Sequence, residues 1–282
     1  MMAKGPLLID AAMQDKNALS VTPDAVVRGV LWQVTDDRFR LDAPGIACYD
    51  VGGGRTVTIE PAPGATGAEV ARILGMAPLA ALLYQRGCLA FHAAACVPPL
   101  LDSESGRGGE TQGAILLAGS SGAGKSTLLA ALVQRGWRAI ADELAIVDLD
   151  AHGRPIVFPH PSPIRLWPDV QVALEWAETP VGRLEPPRDP QPLQAIYWIG
   201  VHNRGGVEAS ELSGVDRFRA IGSLMYNTHI ADALLDRTVY LHKAGAIAQT
   251  VSLHRLGRPR EQWCIDALVD KILTDSACRC PV

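Results

Sequence analysis

The chain has 282 residues, enough for one large domain or two modest ones. It is 48% hydrophobic and 20% charged with a net charge of −4, which is an ordinary globular composition with ample core-forming material. That balance excludes a bulk basic field drawing the chain to nucleic acid or to an anionic membrane.

No secretory or membrane-spanning segment is expected. The opening residues lack an apolar region of adequate length, and the most apolar helical stretch, Ile73 to Tyr84, is short and holds Pro78. The six cysteines form no C-x-x-C pair, and a reducing cytoplasm is the expected compartment.

In chain order, the first legible element is a strand at Val26 to Val34, after the turn Ser20 to Asp24. Short strands follow at Phe39 to Leu41, Ile46 to Val51 and Arg55 to Glu60, the last two joined at Gly52-Gly53-Gly54 as a hairpin. Thr66 to Arg86 carries a helical apolar face that Pro78 kinks or splits, with Gly87 as its stop. Residues 1–86 therefore read as a small β-rich N-terminal subdomain with a closing helix, and 87–282 as the main domain. Cys88 to Val97 is almost continuously apolar, the pattern of a strand buried in a helix-covered sheet, interrupted only by His92. The polar, Gly-rich stretch Asp102 to Gln112 connects it to the next strand.

Ala114 to Gly136 is the most informative stretch. A short apolar strand, Ala114 to Ala118, leads into a glycine-punctuated loop and then an apolar helix that stops at Gly136. Gly119, Gly124, Lys125 and Ser126 match the phosphate-cradling pattern G-x-x-x-x-G-K-[ST], with Ser120, Ser121, Gly122 and Ala123 in the free positions. The glycines permit backbone conformations that turn N–H groups toward phosphate oxygens. The helix start, including Thr127, adds unpaired N–H groups and the positive end of a dipole. In that pattern Lys125 reaches the β- and γ-phosphates and the Ser126 hydroxyl holds Mg²⁺.

Arg138 to Ala141 forms the next strand and ends at Asp142-Glu143, seventeen positions after Lys125. A helix of three turns, a glycine turn and a four-residue strand return Asp142 to the sheet edge where the phosphates lie. One acid of the pair then serves Mg²⁺ and the other a hydroxyl nucleophile, in either order. Strands at Leu144 to Leu149 and Pro155 to Phe158, a Pro-rich loop holding Arg165, and a short helix at Val170 to Trp176 follow. Glu178 to Pro192 is irregular, with Arg183 and Arg188. Leu193 to Val201 is a strand, Asp216 to Leu235 mainly helix, Gln249 to His254 a last strand and Glu261 to Leu273 a closing amphipathic helix.

The run from Leu89-Ala90-Phe91-His92 through the glycine loop and Arg135-Gly136 to Ala141-Asp142-Glu143 resembles the core of the HPr kinase family. The resemblance covers about residues 88–150 and, more loosely, Pro159 to Arg165 and Leu193 to Gly200. It implies an α/β fold: a P-loop kinase core of the HPr kinase/PEP-carboxykinase type, a mixed sheet with flanking helices, joined to the small N-terminal subdomain. It further implies ATP and Mg²⁺ as cofactors, Asp142 as the base toward a seryl hydroxyl with His92 close by, and a metal role for Ser126, Glu143 and Asp142. For a kinase, Lys125 would hold the triphosphate with the loop amides and Arg165, or else Arg183 or Arg188, would neutralise the migrating phosphoryl group; the resemblance also implies self-association.

Two departures stand out. The family's downstream R-G-x-G has no counterpart beyond Ile164-Arg165-Leu166-Trp167, and residues 1–85 do not resemble the family's N-terminal domain. The stretch Gln85-Arg86-Gly87 through His92-Ala93 is more similar to HPr-kinase-like proteins found with ribosomally made peptides (RiPPs). These include the lasso-peptide kinases, which phosphorylate a serine near the precursor's C-terminus.

The expected activity is therefore ATP-dependent transfer to a serine of a peptide or protein. The alternatives are a small-metabolite hydroxyl kinase, an ABC-type ATPase and a nucleotide-sensing module. Against the ABC reading, Leu212-Ser213-Gly214-Val215-Asp216 lacks the second glycine and the glutamine of that signature.

Overall fold

The computed structural model describes residues 10–13, 27–28, 32–35, 37–99, 113–160, 163–176, 187–260 and 262–277. In chain order the elements begin with β1 (Asp10–Met13), β2 (Val27–Arg28), β3 (Trp32–Val34), β4 (Arg38–Ala43), β5 (Ala47–Gly52), β6 (Thr56–Pro61), α1 (Gly67–Leu74) and α2 (Ala77–Gln85). Next come β7 (Leu89–Phe91), β8 (Ala93–Val97), β9 (Ala114–Gly119), α3 (Lys125–Gln134), β10 (Arg138–Ala141), β11 (Ala145–Leu149), β12 (Pro155–Phe158) and α4 (Pro168–Ala173). The chain continues through β13 (Gln191–His202), β14 (Glu208–Glu211), α5 (Gly214–Ser223), α6 (Thr228–Leu234), α7 (Arg237–Thr250), β15 (Ser252–Pro259) and α8 (Ile265–Ala277).

These form two compact units. The first runs to Ala90 and takes in Met225–Ala244; the second comprises Phe91–Leu224 and the residues from Gly245.

In the first unit the strands lie in the order β1-β6-β5-β4-β3-β2. Along β5 every second residue is buried, so Ala47, Tyr49 and Val51 face the core with Val57 and Ile59 of β6. The almost wholly buried α2 packs on that face. The Tyr49 hydroxyl donates to the Val70 carbonyl at 2.9 Å, which satisfies a polar group inside the core. Of the two outcomes expected for the helix from Thr66, kinked or split, the chain takes the split, and the break falls at Gly75-Met76, just ahead of Pro78. There the proline occupies the first turn of α2, where its missing N–H costs no helical bond. Thr66 and Glu69 close a reciprocal capping box at the start of α1. No single helix among the described residues is long and apolar enough to cross a membrane.

The second unit is a mixed α/β layer, with a sheet in the order β10-β8-β9-β13-β12-β11 and β15 paired parallel to β13. Ile115 and Leu117 of β9 and Ala195, Tyr197 and Ile199 of β13 share one face. They are covered there by Leu128, Leu129 and Leu132 of α3 and by Leu268, Val269 and Ile272 of α8.

Strand direction decides where the chemistry collects. β10 is antiparallel to β8, and β8 to β9, so β10 runs the same way as β9. β13 is parallel to β9, and β15 is parallel to β13. The carboxyl ends of β9, β10, β13 and β15 therefore share an edge. His92 lies there too, because Ala93 opens β8 opposite Ala118.

The structure departs from the expected elements in several places, the first at Val26 to Val34, where β2 and β3 pair antiparallel instead of forming one strand. The strand Cys88 to Val97 is broken at His92, whose N–H donates to Leu224 O at 2.9 Å. The helix Asp216 to Leu235 divides at Asn227, which sits at φ +51° and caps α6 by accepting from the Ile230 N–H. Residues expected to enter a strand at Gln249 belong to α7, so β15 starts at Ser252. β1 and β14 had no sequence signal. Asp102 to Gln112, Arg183 and most of Glu178 to Pro192 lie outside the described residues.

Candidate active site

The loop between β9 and α3 opens onto a cavity of about 540 Å³ in the second unit. Gly119, at φ +149°, has no room for a side chain: a Cβ would stand 2.6 Å from the Ile199 carbonyl oxygen. The loop can leave β9 directly over β13 only because this residue is glycine. Gly124, at φ +105°, forms the N-cap of α3, and no side chain caps that helix start. Its first N–H groups are therefore available to an anion.

Ser121, Gly122, Gly124, Lys125, Ser126 and Thr127 line the cavity. Behind them Gly119, Ser120 and Ala123 make the loop's internal bonds, with the Ala123 N–H donating to Ser120 O at 3.1 Å. The buried Lys125 donates through Nζ to Gly119 O at 2.9 Å and Ser120 O at 3.2 Å. Burial lowers the pKa of its ammonium, and the Asp142 and Glu143 carboxylates oppose that shift.

Asp142, immediately after β10, is buried and accepts from the Ser126 hydroxyl through Oδ1 at 2.9 Å. Its Oδ2 lies 3.4 Å from the Arg165 N–H, a long contact that brings the 163–167 segment against the acid. Burial pushes the Asp142 carboxyl above its ordinary range. The bonds from Ser126 and the Arg165 N–H oppose this, nearby Glu143 adds to it, and Lys125 counters it. His92 lines the same cavity, and burial, helped by the Lys125 charge, lowers its pKa to about 4. Both effects favour the neutral imidazole over the cation.

Glu143 also faces the cavity and holds φ +77°, a conformation that costs a side-chain-bearing residue about 1–2 kcal/mol. Glu143→Gly relieves that strain. The variant is expected to melt at the same or slightly higher temperature, by roughly 0.5–1 kcal/mol of stability. A clear drop in melting temperature on calorimetry would show that the carboxylate holds the turn rather than serving the cavity.

Arg165 lines the cavity from an exposed position. Arg188 is exposed just before β13 and does not line it, and Arg183 lies outside the described residues. Among the described residues no cluster of three or more His, Cys, Asp or Glu side chains could hold a metal by itself. Ser126, Asp142 and Glu143 supply only hard oxygen donors. Such a set suits Mg²⁺, which binds through one or two carboxylates plus phosphate oxygens and water rather than in an all-protein cage.

Sequence reasoning missed the far wall. Arg258 of β15 donates to the Ala123 and Gly122 carbonyls, and Gln262, Trp263 and Cys264 continue the lining beyond it. Trp167 and Trp263, 75% and 50% exposed, flank the opening. No spacing rule marks Arg258, because it lies more than 130 residues from the loop it touches.

No family model and no curated protein matches the sequence. Among solved structures, the chain is similar to one described as the HPr(Ser) kinase/phosphatase from Coxiella burnetii. The two are 12% identical over 67% of this chain and 97% of that chain, with a TM-score of 0.34. At that level the likeness does not bear on activity.

Proposed function

We propose that the chain is an ATP-dependent kinase that transfers the γ-phosphoryl group to a serine hydroxyl of a peptide or protein. The carrying observation is the contact between Ser126 at the start of α3 and Asp142 at the end of β10, because it sets an acid beside the helix-start hydroxyl of a phosphate-loop pattern. An anion-binding backbone, a lysine, a hydroxyl and a buried carboxylate on one edge suit phosphoryl transfer, which depends on positioning and charge neutralisation.

In this reading the N–H groups at the α3 start and Lys125 hold the triphosphate. Mg²⁺, held by Ser126 with an acid of the pair, would neutralise charge on the phosphate oxygens. The acceptor oxygen bonds to the γ-phosphorus as the bond from that phosphorus to the β–γ bridging oxygen breaks. The hydroxyl proton passes to the Asp142 carboxylate, and the nucleoside diphosphate leaves. Arg165 brings positive charge to the mouth of the same cavity.

The sequence resemblance around Gln85-Arg86-Gly87 and His92-Ala93 supports a RiPP precursor, with its serine near the C-terminus, as the acceptor. Incubation with ATP and Mg²⁺ should add one phosphate, by mass spectrometry, to a serine-containing precursor peptide and none to HPr. Strong labelling of HPr would overturn the acceptor assignment, and ATP hydrolysis without any transfer would favour the ATPase reading.

A further inference from the structure

We propose that Arg258 is a positioning residue that sets the phosphate-facing conformation of the loop between β9 and α3. This inference rests on the phosphate-binding reading of that loop. The guanidinium spans two successive peptide units, with Nε donating to Ala123 O at 2.8 Å and Nη2 to Gly122 O at 3.1 Å. Nη1 donates to Pro259 O at 3.1 Å, which ties the fork back to its own strand.

In a trans peptide the carbonyl and the next N–H point in opposite directions. Gripping Ala123 O therefore turns the Gly124 N–H away from Arg258. Gripping Gly122 O fixes the neighbouring plane, whose Ala123 N–H is already engaged by Ser120 O. Gly124, at φ +105°, has no side chain to restrict its peptide planes, so the loop needs an outside hold.

The reach follows from strand order. Gly119 is level with Ile199 of β13, and Ile199 with Leu256 of β15. Arg258, two residues further along β15 and level with Val201, lies beyond the last paired residue of β9, with only β13 between its strand and the loop. Lysine at this position keeps the charge but lacks the planar fork that holds two carbonyls at fixed angles.

The test uses the full chain with Arg258→Ala and Arg258→Lys. Amide hydrogen exchange of the peptide spanning 119–127, without nucleotide, should quicken in both variants. Affinity for Mg·ATP and for inorganic triphosphate should fall about tenfold or more in both, with melting temperatures within about 3 °C of the parent.

Exchange and affinity equal to the parent in Arg258→Lys would overturn the proposal, since charge alone would then suffice. Parent-like behaviour of Arg258→Ala would overturn it outright. If the parent chain binds neither probe, the phosphate-binding reading fails, and the exchange arm still decides whether Arg258 orders the loop.

Discussion

Asp142→Asn is expected to bind Mg·ATP within a few-fold of the parent and to lose phosphoryl transfer by roughly 10²–10⁴-fold, the usual contribution of a positioned base. The substitution is close to isosteric. The amide oxygen still accepts from the Ser126 hydroxyl at the position Oδ1 holds, so the contact between α3 and the end of β10 survives. On the other side the amide nitrogen meets the Arg165 N–H. The parent contact there is already 3.4 Å, so little binding energy is lost. Burial disfavours the ionised carboxyl, and an uncharged amide removes that penalty, so the fold should not weaken. Calorimetric binding combined with single-turnover transfer from labelled ATP separates the two effects. Parent-like transfer by this variant would place the base elsewhere, with Glu143 the next candidate.

Lys125→Ala acts at the other end of the same reaction. Its ammonium is the one buried cation lining the cavity among the described residues, and in the proposed reaction the γ-phosphoryl oxygens would gain charge neutralisation from it as the bond to the leaving group breaks. Transfer should fall by about 10²-fold or more, with weaker triphosphate binding as well. The fold should tolerate the change. The carbonyls of Gly119 and Ser120 lose a charged donor, at about 1.5–3 kcal/mol per bond, but the cost of burying the ammonium disappears with it. Thermal melting and transfer measured on one preparation test both halves. Unchanged turnover would remove the triphosphate assignment from this loop.

The candidate site divides by the range of its interactions. The loop pattern, the strand before it, α3 after it and the short path to Asp142 lie within one βαβ stretch, and all are readable from glycine placement and apolar runs. In the first unit, the alternating burial of β5 and β6 follows directly from period-two patterning, and Gly52-Gly53-Gly54 announces their turn. α7 escaped that kind of reading. Its sequence RTVYLHKAGAIAQT mixes β-branched residues and a glycine into the helix and shows no single apolar stripe. Its last turn could therefore be read as the start of the next strand. β14 is a wholly exposed edge strand, and nothing in its polar residues distinguishes it from a loop.

The sequence by itself determined that a glycine-rich turn joins a buried strand to a helix, and that an acid pair follows a few elements later. Backbone freedom at Gly119 and Gly124 and short-range hydrogen bonding are local properties. Only the tertiary structure decided that Asp142 touches Ser126, that His92 stands at the same edge, and that Arg258 holds the loop from the far side. Those contacts depend on β10, β8, β9, β13 and β15 lying in that order and in those directions. Strand order is set by packing apolar faces across the whole unit, and no window of neighbouring residues contains it.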